Sequence, residues 1–223
     1  MTTRPAAIVA NEQNGNNGKP HYWDDAVAQL MRRDRIMRRL IPDHPKVWLE
    51  SRGKPFITLA RSIVGQQISV KAAESVWQKV LLRCGRQPSP ASVVQAGLGA
   101  LRECGLSQRK SEYVMDLAGH FQQRLVHPHL WPDMEDEDLI RELTAIRGIG
   151  RWTAEMFLIF YLQRPDVLPL DDVGLLKAIS LHYYSGEPVS RFEAREVAQA
   201  WEPWRTVATW YLWRSLDPIP VEY

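Results

Sequence analysis

Two adjacent carboxylates, Asp171 and Asp172, are the residues whose type and position point most directly to chemistry. They follow Pro169 and precede an apolar pattern of helical spacing. The simplest interpretation is that one of them is a helix N-cap. However, a turn with two glycines precedes them, and the amides of such a turn attract phosphate, which a carboxylate repels. A carboxylate in that setting indicates a group that stabilises positive charge or activates water.

The glycine turn lies between two short helical patterns. Gly148 is predicted to end the first helix, because glycine adopts a positive φ without steric cost. Gly150 is predicted to open the second helix, where Trp152 and Met156 recur at helical spacing. The first amides of that helix have no carbonyl one turn back, so they form an anion site to which Arg151 adds charge. The alternative is an ordinary turn between helices, which a lone Gly-x-Gly does not exclude.

The composition fits a protein with a packed core and excludes several kinds of site. Apolar residues make up 45% and charged residues 24% of the 223 residues, as in globular proteins. No apolar run approaches the roughly 20 residues of a membrane span, and a signal-peptide pattern is missing, so we expect a cytoplasmic protein with no membrane partner. The two cysteines are too few for a four-thiolate iron–sulfur cluster. Nine tryptophans offer platforms on which nucleobases stack.

The hairpin and the aspartates together resemble the helix-hairpin-helix DNA glycosylase superfamily, and their spacing is similar to that of the DNA-3-methyladenine glycosylase II branch. The resemblance covers roughly residues 55–216. The segments that carry it read Ala60-Arg61-Ser62-Ile63-Val64-Gly65-Gln66-Gln67-Ile68-Ser69, Ile146-Arg147-Gly148-Ile149-Gly150-Arg151-Trp152-Thr153-Ala154, Leu168-Pro169-Leu170-Asp171-Asp172-Val173-Gly174 and Ala200-Trp201-Glu202-Pro203-Trp204-Arg205.

The resemblance implies a role for each matched residue. The catalytic carboxylate of the family immediately precedes the position of Val173, which assigns it to Asp172. Gln67 matches the side chain that wedges into the duplex where the target nucleotide leaves. Trp152 stands where bifunctional relatives carry a nucleophilic lysine, so no lyase activity is expected. For each tryptophan the alternative is core packing. The remaining assignments are a base pocket of Trp152, Trp213, Met156 and Val173, DNA contacts from Gln66, Gly148, Gly150, Arg151 and Thr153, and a structural monovalent cation on the carbonyls of Thr144, Ile146 and Ile149.

The helical patterns predict an all-α protein of about ten to twelve helices. By resemblance, a central six-helix lobe, residues 54–165, contains the helix-hairpin-helix motif. It faces a second helical lobe built from residues 21–53 and 166–223, with the active site in the cleft between them. Residues 1–20, rich in Asn and Gly, are predicted to be a disordered leader.

The helical patterns also set local expectations. Residues 22–40 are predicted to be helical, with five arginines that either lie in solvent or contact the DNA backbone. Ser107 is predicted to cap a long helix, in which Lys110 either reaches a phosphate or is solvated. Two short helices are expected in residues 89–105. Pro203 is predicted in the first turn of the last helix.

The activity that the resemblance implies is hydrolysis of the N-glycosidic bond of alkylated purines, with 3-methyladenine, 7-methylguanine and hypoxanthine as candidate bases. Alkylation makes the base a good leaving group, and the carboxylate of Asp172 would stabilise the oxocarbenium-like sugar. The base must first be flipped out of the duplex. The expected partner is double-stranded DNA, bound by a monomer. The alternatives are a non-catalytic helix-hairpin-helix module and a glycosylase for oxidised or mismatched purines.

Overall fold

The computed structural model of the chain describes residues 18–51 and 53–216, and most of the predicted leader lies outside them. Over the described residues the chain forms α-helices and two short 3₁₀ segments without any strand, which confirms the all-α prediction. None of the described helices is long and apolar enough to cross a membrane. The helices are α1 (Trp23–Arg33), α2 (Arg35–Leu40), α3 (Pro55–Gly65), α4 (Val70–Cys84), α5 (Pro90–Glu103), α6 (Gln108–Gln122), α7 (Asp136–Thr144), α8 (Arg151–Phe160), α9 (Val173–Tyr183), α10 (Arg191–Ala198) and α11 (Arg205–Leu216).

The described residues divide into two compact units. The first comprises residues 53–157, and the second comprises residues 18–51 and 158–216. The glycine turn belongs to the first unit and the aspartate pair to the second. The predicted cleft between two lobes stays a prediction.

The first unit is built around α6, which packs against both α3 and α5. Ser107 caps α6 by accepting a hydrogen bond from the Lys110 amide, as predicted. Gly97, with φ at 78°, interrupts α5, so residues 90–103 form two short helical pieces, also as predicted. Edge-to-face contacts of aromatic rings continue the core from α3 through α6 to α8. The rings in contact are those of Phe56, Phe121, Trp131 and Phe157.

The second unit is built around α11, which packs against α1, α2 and α9. Residues 206–212 of α11 are all buried, so this helix is enclosed by the protein on every side, with the polar Thr206 and Thr209 among its buried residues. Its contact with α9 brings Trp213 beside the residue that begins α9. This packing is what positions the aspartate described below.

Asp34 breaks the segment that was predicted to be continuously helical. Its backbone is extended between α1 and α2, and its carboxylate accepts hydrogen bonds from the amides of Ile36 and Met37. The same carboxylate accepts from the Tyr183 hydroxyl at 2.8 Å and from the Trp201 indole nitrogen at 3.0 Å. Burial, followed by the charge of Asp34, raises the pKa of Tyr183. The prediction of one uninterrupted helix was therefore wrong, because partners distant in sequence fix Asp34 as a cap.

The prediction that Pro203 lies in the first turn of the last helix was also wrong. A 3₁₀ segment, Gln199–Trp201, precedes it, and α11 begins only at Arg205. Asp166 fixes this start, since its carboxylate accepts from the Arg205 amide at 3.2 Å and from the Arg205 guanidinium at 2.7 and 2.8 Å. The helix therefore begins where a side chain 39 residues away supplies the acceptor.

Candidate active site

The turn between α7 and α8 requires glycine at position 148 for two reasons. Gly148 has φ at +85°, in the left-handed region that favours glycine. A Cβ atom at this position would lie 2.2 Å from Cδ2 and 2.4 Å from Cγ of Tyr113. The Tyr113 ring of α6 is therefore packed directly beneath the turn, and any side chain at position 148 would displace it.

Polar contacts from α6 and from the end of α3 hold the same turn. The Arg147 amide donates to the Asp116 carboxylate at 2.9 Å. The side-chain amide of Gln66 donates to the Gly148 carbonyl at 2.9 Å. Gln66 was also predicted to contact DNA, and that contact stays a prediction. The turn is thus held by contacts with α6 and with the end of α3.

Gly150 differs from Gly148, because neither its conformation nor its neighbours require a glycine. Its φ is not positive, and a Cβ atom built there would meet nothing within 4 Å. The Ala154 amide donates to the Gly150 carbonyl at 3.0 Å, which closes the first turn of α8. By helix geometry the amides before Ala154 have no carbonyl one turn back. The open face at Gly150 gives a phosphate room to approach this helix N-terminus.

Arg151 is committed to partners within the hairpin. Its guanidinium forms a bidentate pair with Glu137 of α7, with Nη1 to Oε2 at 3.0 Å and Nη2 in close contact with Oε1. Its Nε donates to Glu155 at 3.0 Å. The hydrogen bonding that the guanidinium donates to Glu137 is the main cause of the raised pKa of Arg151. Arg151 therefore links the two helices of the hairpin, and much of the charge that it was predicted to bring to a phosphate is already neutralised.

The carbonyls predicted to hold a monovalent cation lie in the same turn. The Ile146 carbonyl accepts from the Ile149 amide at 3.1 Å, and the Thr144 hydroxyl donates to the Ile140 carbonyl at 2.8 Å. Within the described ranges, no group of His, Cys, Asp and Glu is arranged to hold a metal ion. A cation at this turn would therefore bind to backbone oxygens, and it stays a prediction.

The junction between α3 and α4 presents its side chains to solvent. Gln67 has φ at +57° and is exposed. Ile68 and Val70 beside it are 41% and 65% exposed, which is unusual for large apolar residues. Its exposed apolar and amide groups suit a surface that enters a duplex groove.

Asp172 is the N-cap of α9 and is only 8% exposed. Its Oδ1 accepts from the Leu175 amide at 2.6 Å and from the Trp213 indole nitrogen at 2.8 Å. The Trp213 ring is itself stacked on Phe160, with centroids 5.8 Å apart and planes 10° apart. Trp213 was predicted as a wall of the base pocket, and the structure adds that it is a hydrogen-bond donor to the predicted catalytic carboxylate.

Gly174 makes the contact between Trp213 and Asp172 possible, and sequence reasoning gave it no role. A Cβ atom at this position would lie 3.1 Å from Oδ1 of Asp172 and 3.4 Å from Cδ1 of Trp213. The distance to the carboxylate oxygen is tighter than an ordinary van der Waals contact, so a side chain here would press on the Asp172 carboxylate that accepts from the indole. A glycine in the first turn of a helix is a signal that could have indicated this close approach.

Asp171 has a different environment from Asp172. Its carboxylate pairs with the Arg191 guanidinium at 2.6 Å, and both side chains are largely exposed, at 44% and 68%. It is therefore a surface ion pair, while the cap is supplied by Asp172. The sequence alone did not decide which of the two aspartates caps the helix. Because their environments differ, the same substitution at each residue can be compared experimentally.

The other predicted pocket residues differ in exposure. Val173, the first residue of α9, is 78% exposed next to Asp172. Met156 is 4% exposed, so most of its surface is already packed inside the protein. Trp152 and Thr153 lie in the first turn of α8, where Trp152 is partly exposed and Thr153 is 6% exposed. Their roles in binding a base or DNA stay predictions.

Comparison with known proteins agrees with the resemblance drawn from the sequence. A family model described as HhH-GPD superfamily base excision DNA repair protein matches residues 60–204. The chain is 33% identical over 166 residues to DNA-3-methyladenine glycosylase 1 of Schizosaccharomyces pombe, covering 73% of this chain and 72% of that protein. It is 37% identical over 142 residues to DNA-3-methyladenine glycosylase of Saccharomyces cerevisiae, covering 60% of this chain and 48% of that protein. The chain thus spans only about half the length of the second relative.

Two solved structures are similar to the fold over most of the chain. The crystal structure of DNA-3-methyladenine glycosidase from Bacillus halodurans superposes with a TM-score of 0.80 at 35% identity, covering 86% of this chain and 89% of that one. The Schizosaccharomyces pombe 3-methyladenine DNA glycosylase Mag1, in complex with abasic DNA, gives a TM-score of 0.75 at 28% identity, covering 88% of this chain and 100% of that one. Sequence and structure therefore agree on the same branch.

Proposed function

The chain belongs to the HhH-GPD superfamily of base excision DNA repair proteins, and we propose that it is a monofunctional DNA glycosylase acting on alkylated purines. It would flip the damaged nucleotide out of a duplex, hydrolyse the N-glycosidic bond and leave an abasic site in an intact strand. The observation that carries this proposal is the buried Asp172 carboxylate, held by the Trp213 indole and the Leu175 amide.

The position of Asp172 suits the chemistry of an alkylated base. A purine with a methyl group on a ring nitrogen is cationic and leaves readily, so the main demand falls on the sugar that becomes an oxocarbenium-like cation. A negative charge that is already oriented stabilises such a cation without reorganisation during the reaction. Two donors to the same oxygen, Oδ1, fix the orientation of the Asp172 carboxylate before substrate binds. It can also orient or deprotonate the attacking water.

The tryptophan at position 152 supports hydrolysis without strand cleavage. A lyase step requires a primary amine that forms a Schiff base with the sugar. The residue at the corresponding position is Trp152, whose indole cannot do this. The product would therefore be an abasic site that persists until another enzyme or alkali cleaves it.

The DNA would be held by the hairpin through its backbone. A phosphate can approach the open face of Gly150 and bind the first amides of α8, including that of Thr153. A monovalent cation on the carbonyls of Thr144, Ile146 and Ile149 would bridge to a second phosphate. Arg151 would contribute mainly by joining α7 to α8, since Glu137 and Glu155 already occupy its guanidinium.

The damaged base would be recognised by aromatic and apolar surface. A cationic base is attracted to the faces of Trp152 and Trp213 by about 0.5–2 kcal/mol for each ring. The exposed Val173 offers a small apolar contact. This set of side chains favours 3-methyladenine and 7-methylguanine, which carry positive charge, over neutral hypoxanthine.

The proposal is tested with duplex DNA treated with a methylating agent. We expect the protein to release methylated purines as free bases, measured by mass spectrometry, and to yield strand breaks only after alkali. Unmethylated duplex is the control. Strand breaks without alkali, or a covalent complex trapped by borohydride, would show a lyase. Tight binding to methylated duplex with no base released would instead favour the non-catalytic DNA-binding module.

A further inference from the structure

The end of α3 is fixed by a lysine from another helix. The Lys110 ammonium of α6 donates to the Val64 carbonyl at 2.8 Å and to the Gln66 carbonyl at 2.6 Å. Lys110 was predicted either to reach a phosphate or to be solvated, and the structure adds two backbone carbonyls as its partners. The last carbonyls of a helix carry partial negative charge and have no amide partner further along, so a cation is favourable there. Lys110 thus acts as a C-terminal cap supplied from outside the helix.

Gln66 connects this cap to the hairpin. Its backbone carbonyl accepts from Lys110, while its side-chain amide donates to the Gly148 carbonyl at 2.9 Å. A displacement of the end of α3 would therefore also displace the hairpin turn, through the side chain of Gln66. One residue links α6, the α3–α4 junction and the turn in series.

Gln67 is the next residue in the chain, and hydrogen bonds hold the backbone on both sides of it. On one side is Gln66 with its two partners, and on the other is Ser69, whose hydroxyl caps α4 by accepting from the Ala72 amide at 3.3 Å. Gln67 itself has φ at +57°, a conformation that a residue with a side chain adopts only when its surroundings enforce it. The contacts of Lys110 are what hold the preceding peptide in place.

We propose that Lys110 is a positioning residue for Gln67, and that it sets the backbone from which the Gln67 side chain enters the duplex beside the flipped nucleotide. This inference rests on the proposed glycosylase function. Lys110 touches neither the base nor the sugar, and it acts on nucleotide flipping rather than on bond cleavage. The two hydrogen bonds of its ammonium to the Val64 and Gln66 carbonyls distinguish it from a lysine that binds phosphate.

The test is a double-mutant cycle between Lys110→Met and Gln67→Ala, with single-turnover base release from a 7-methylguanine duplex as the readout. We expect each single variant to slow release about ten-fold. We expect the double variant to be little slower than either single one, because Lys110 acts through Gln67. Lys110→Arg, whose guanidinium also donates to two acceptors, should recover most of the rate. Lys79→Met, an exposed lysine of α4 in the same unit, is the matched control and should leave the rate unchanged.

The outcomes separate this inference from the proposed function. If the fold-losses of the two single variants multiply, so that the double variant is about a hundred-fold slower, the inference is overturned. A Gln67→Ala variant that releases base at the wild-type rate would overturn it as well. If Lys110→Met does not fold, Lys110→Gln takes its place in the cycle and is judged in the same way. If wild-type protein releases no base, the proposed function fails, and amide hydrogen exchange then decides on positioning alone. Faster exchange at residues 66–70 in Lys110→Met, but not in Lys79→Met, would support the inference, and equal exchange would overturn it.

Discussion

Asp172→Asn is expected to slow base release by about 100-fold or more while leaving affinity for duplex DNA unchanged. The substitution removes the negative charge that stabilises the cationic sugar, and losses of this size are typical when one preorganised electrostatic group is removed. Binding of undamaged backbone does not use this carboxylate. Single-turnover kinetics on a 7-methylguanine duplex and a binding titration on the same duplex measure the two quantities separately.

The structure makes Asp172→Asn a clean substitution. Asparagine is an N-cap as good as aspartate, and its side-chain oxygen can still accept from the Leu175 amide and the Trp213 indole. The melting temperature should therefore change little. Asp171→Asn is the matched control, because it removes the same charge from the adjacent residue and breaks only an exposed ion pair with Arg191. Equal rates for the two variants would remove Asp172 from the chemistry.

Gly148→Ala is expected to destabilise the fold by about 2–4 kcal/mol, and Gly150→Ala by less than about 1 kcal/mol. The methyl group at position 148 would lie 2.2 Å from the Tyr113 ring, and the alanine backbone would have to adopt a positive φ. The methyl group at position 150 meets no protein atom within 4 Å. Denaturant unfolding of the two variants measures this difference.

Gly150→Ala, which is expected to change stability little, is expected to weaken DNA binding. Gly150→Ala should retain its fold but lose about ten-fold in affinity for duplex DNA, because the methyl group occupies the space through which a phosphate approaches the α8 amides. Gly99→Ala is the matched control, because it makes the same change at an exposed position of α5 where an added Cβ atom also meets nothing within 4 Å. A folded Gly150→Ala variant with wild-type affinity would show that the phosphate does not bind at this helix N-terminus.

Local rules predicted the parts of the fold whose causes are local. The Ser107 cap and the two short helical pieces within residues 89–105 were predicted, because a hydroxyl or a glycine decides these points within a few residues. Asp34 was missed as a helix break, since two of its four donors come from Tyr183 and Trp201, which periodicity does not reveal.

The same distinction applies to the candidate site. The hairpin and the aspartate pair were found from residue types and spacing. The partners of Arg151 and Lys110 were not found in this way, because they are distant in sequence. Glu137 lies 14 residues from Arg151, and Val64 lies 46 residues from Lys110. The donor role of Trp213 toward Asp172, across 41 residues, also needed tertiary packing to appear.

Stabilisation of a cationic sugar by Asp172 is measured most directly with two abasic-site analogues in otherwise identical duplexes. One carries a pyrrolidine ring, which is protonated and resembles the charged transition state, and the other carries neutral tetrahydrofuran. We expect wild-type protein to bind the pyrrolidine duplex at least about ten-fold more tightly, and this preference to disappear in Asp172→Asn. A preference of the same size in both proteins would contradict the role assigned to Asp172.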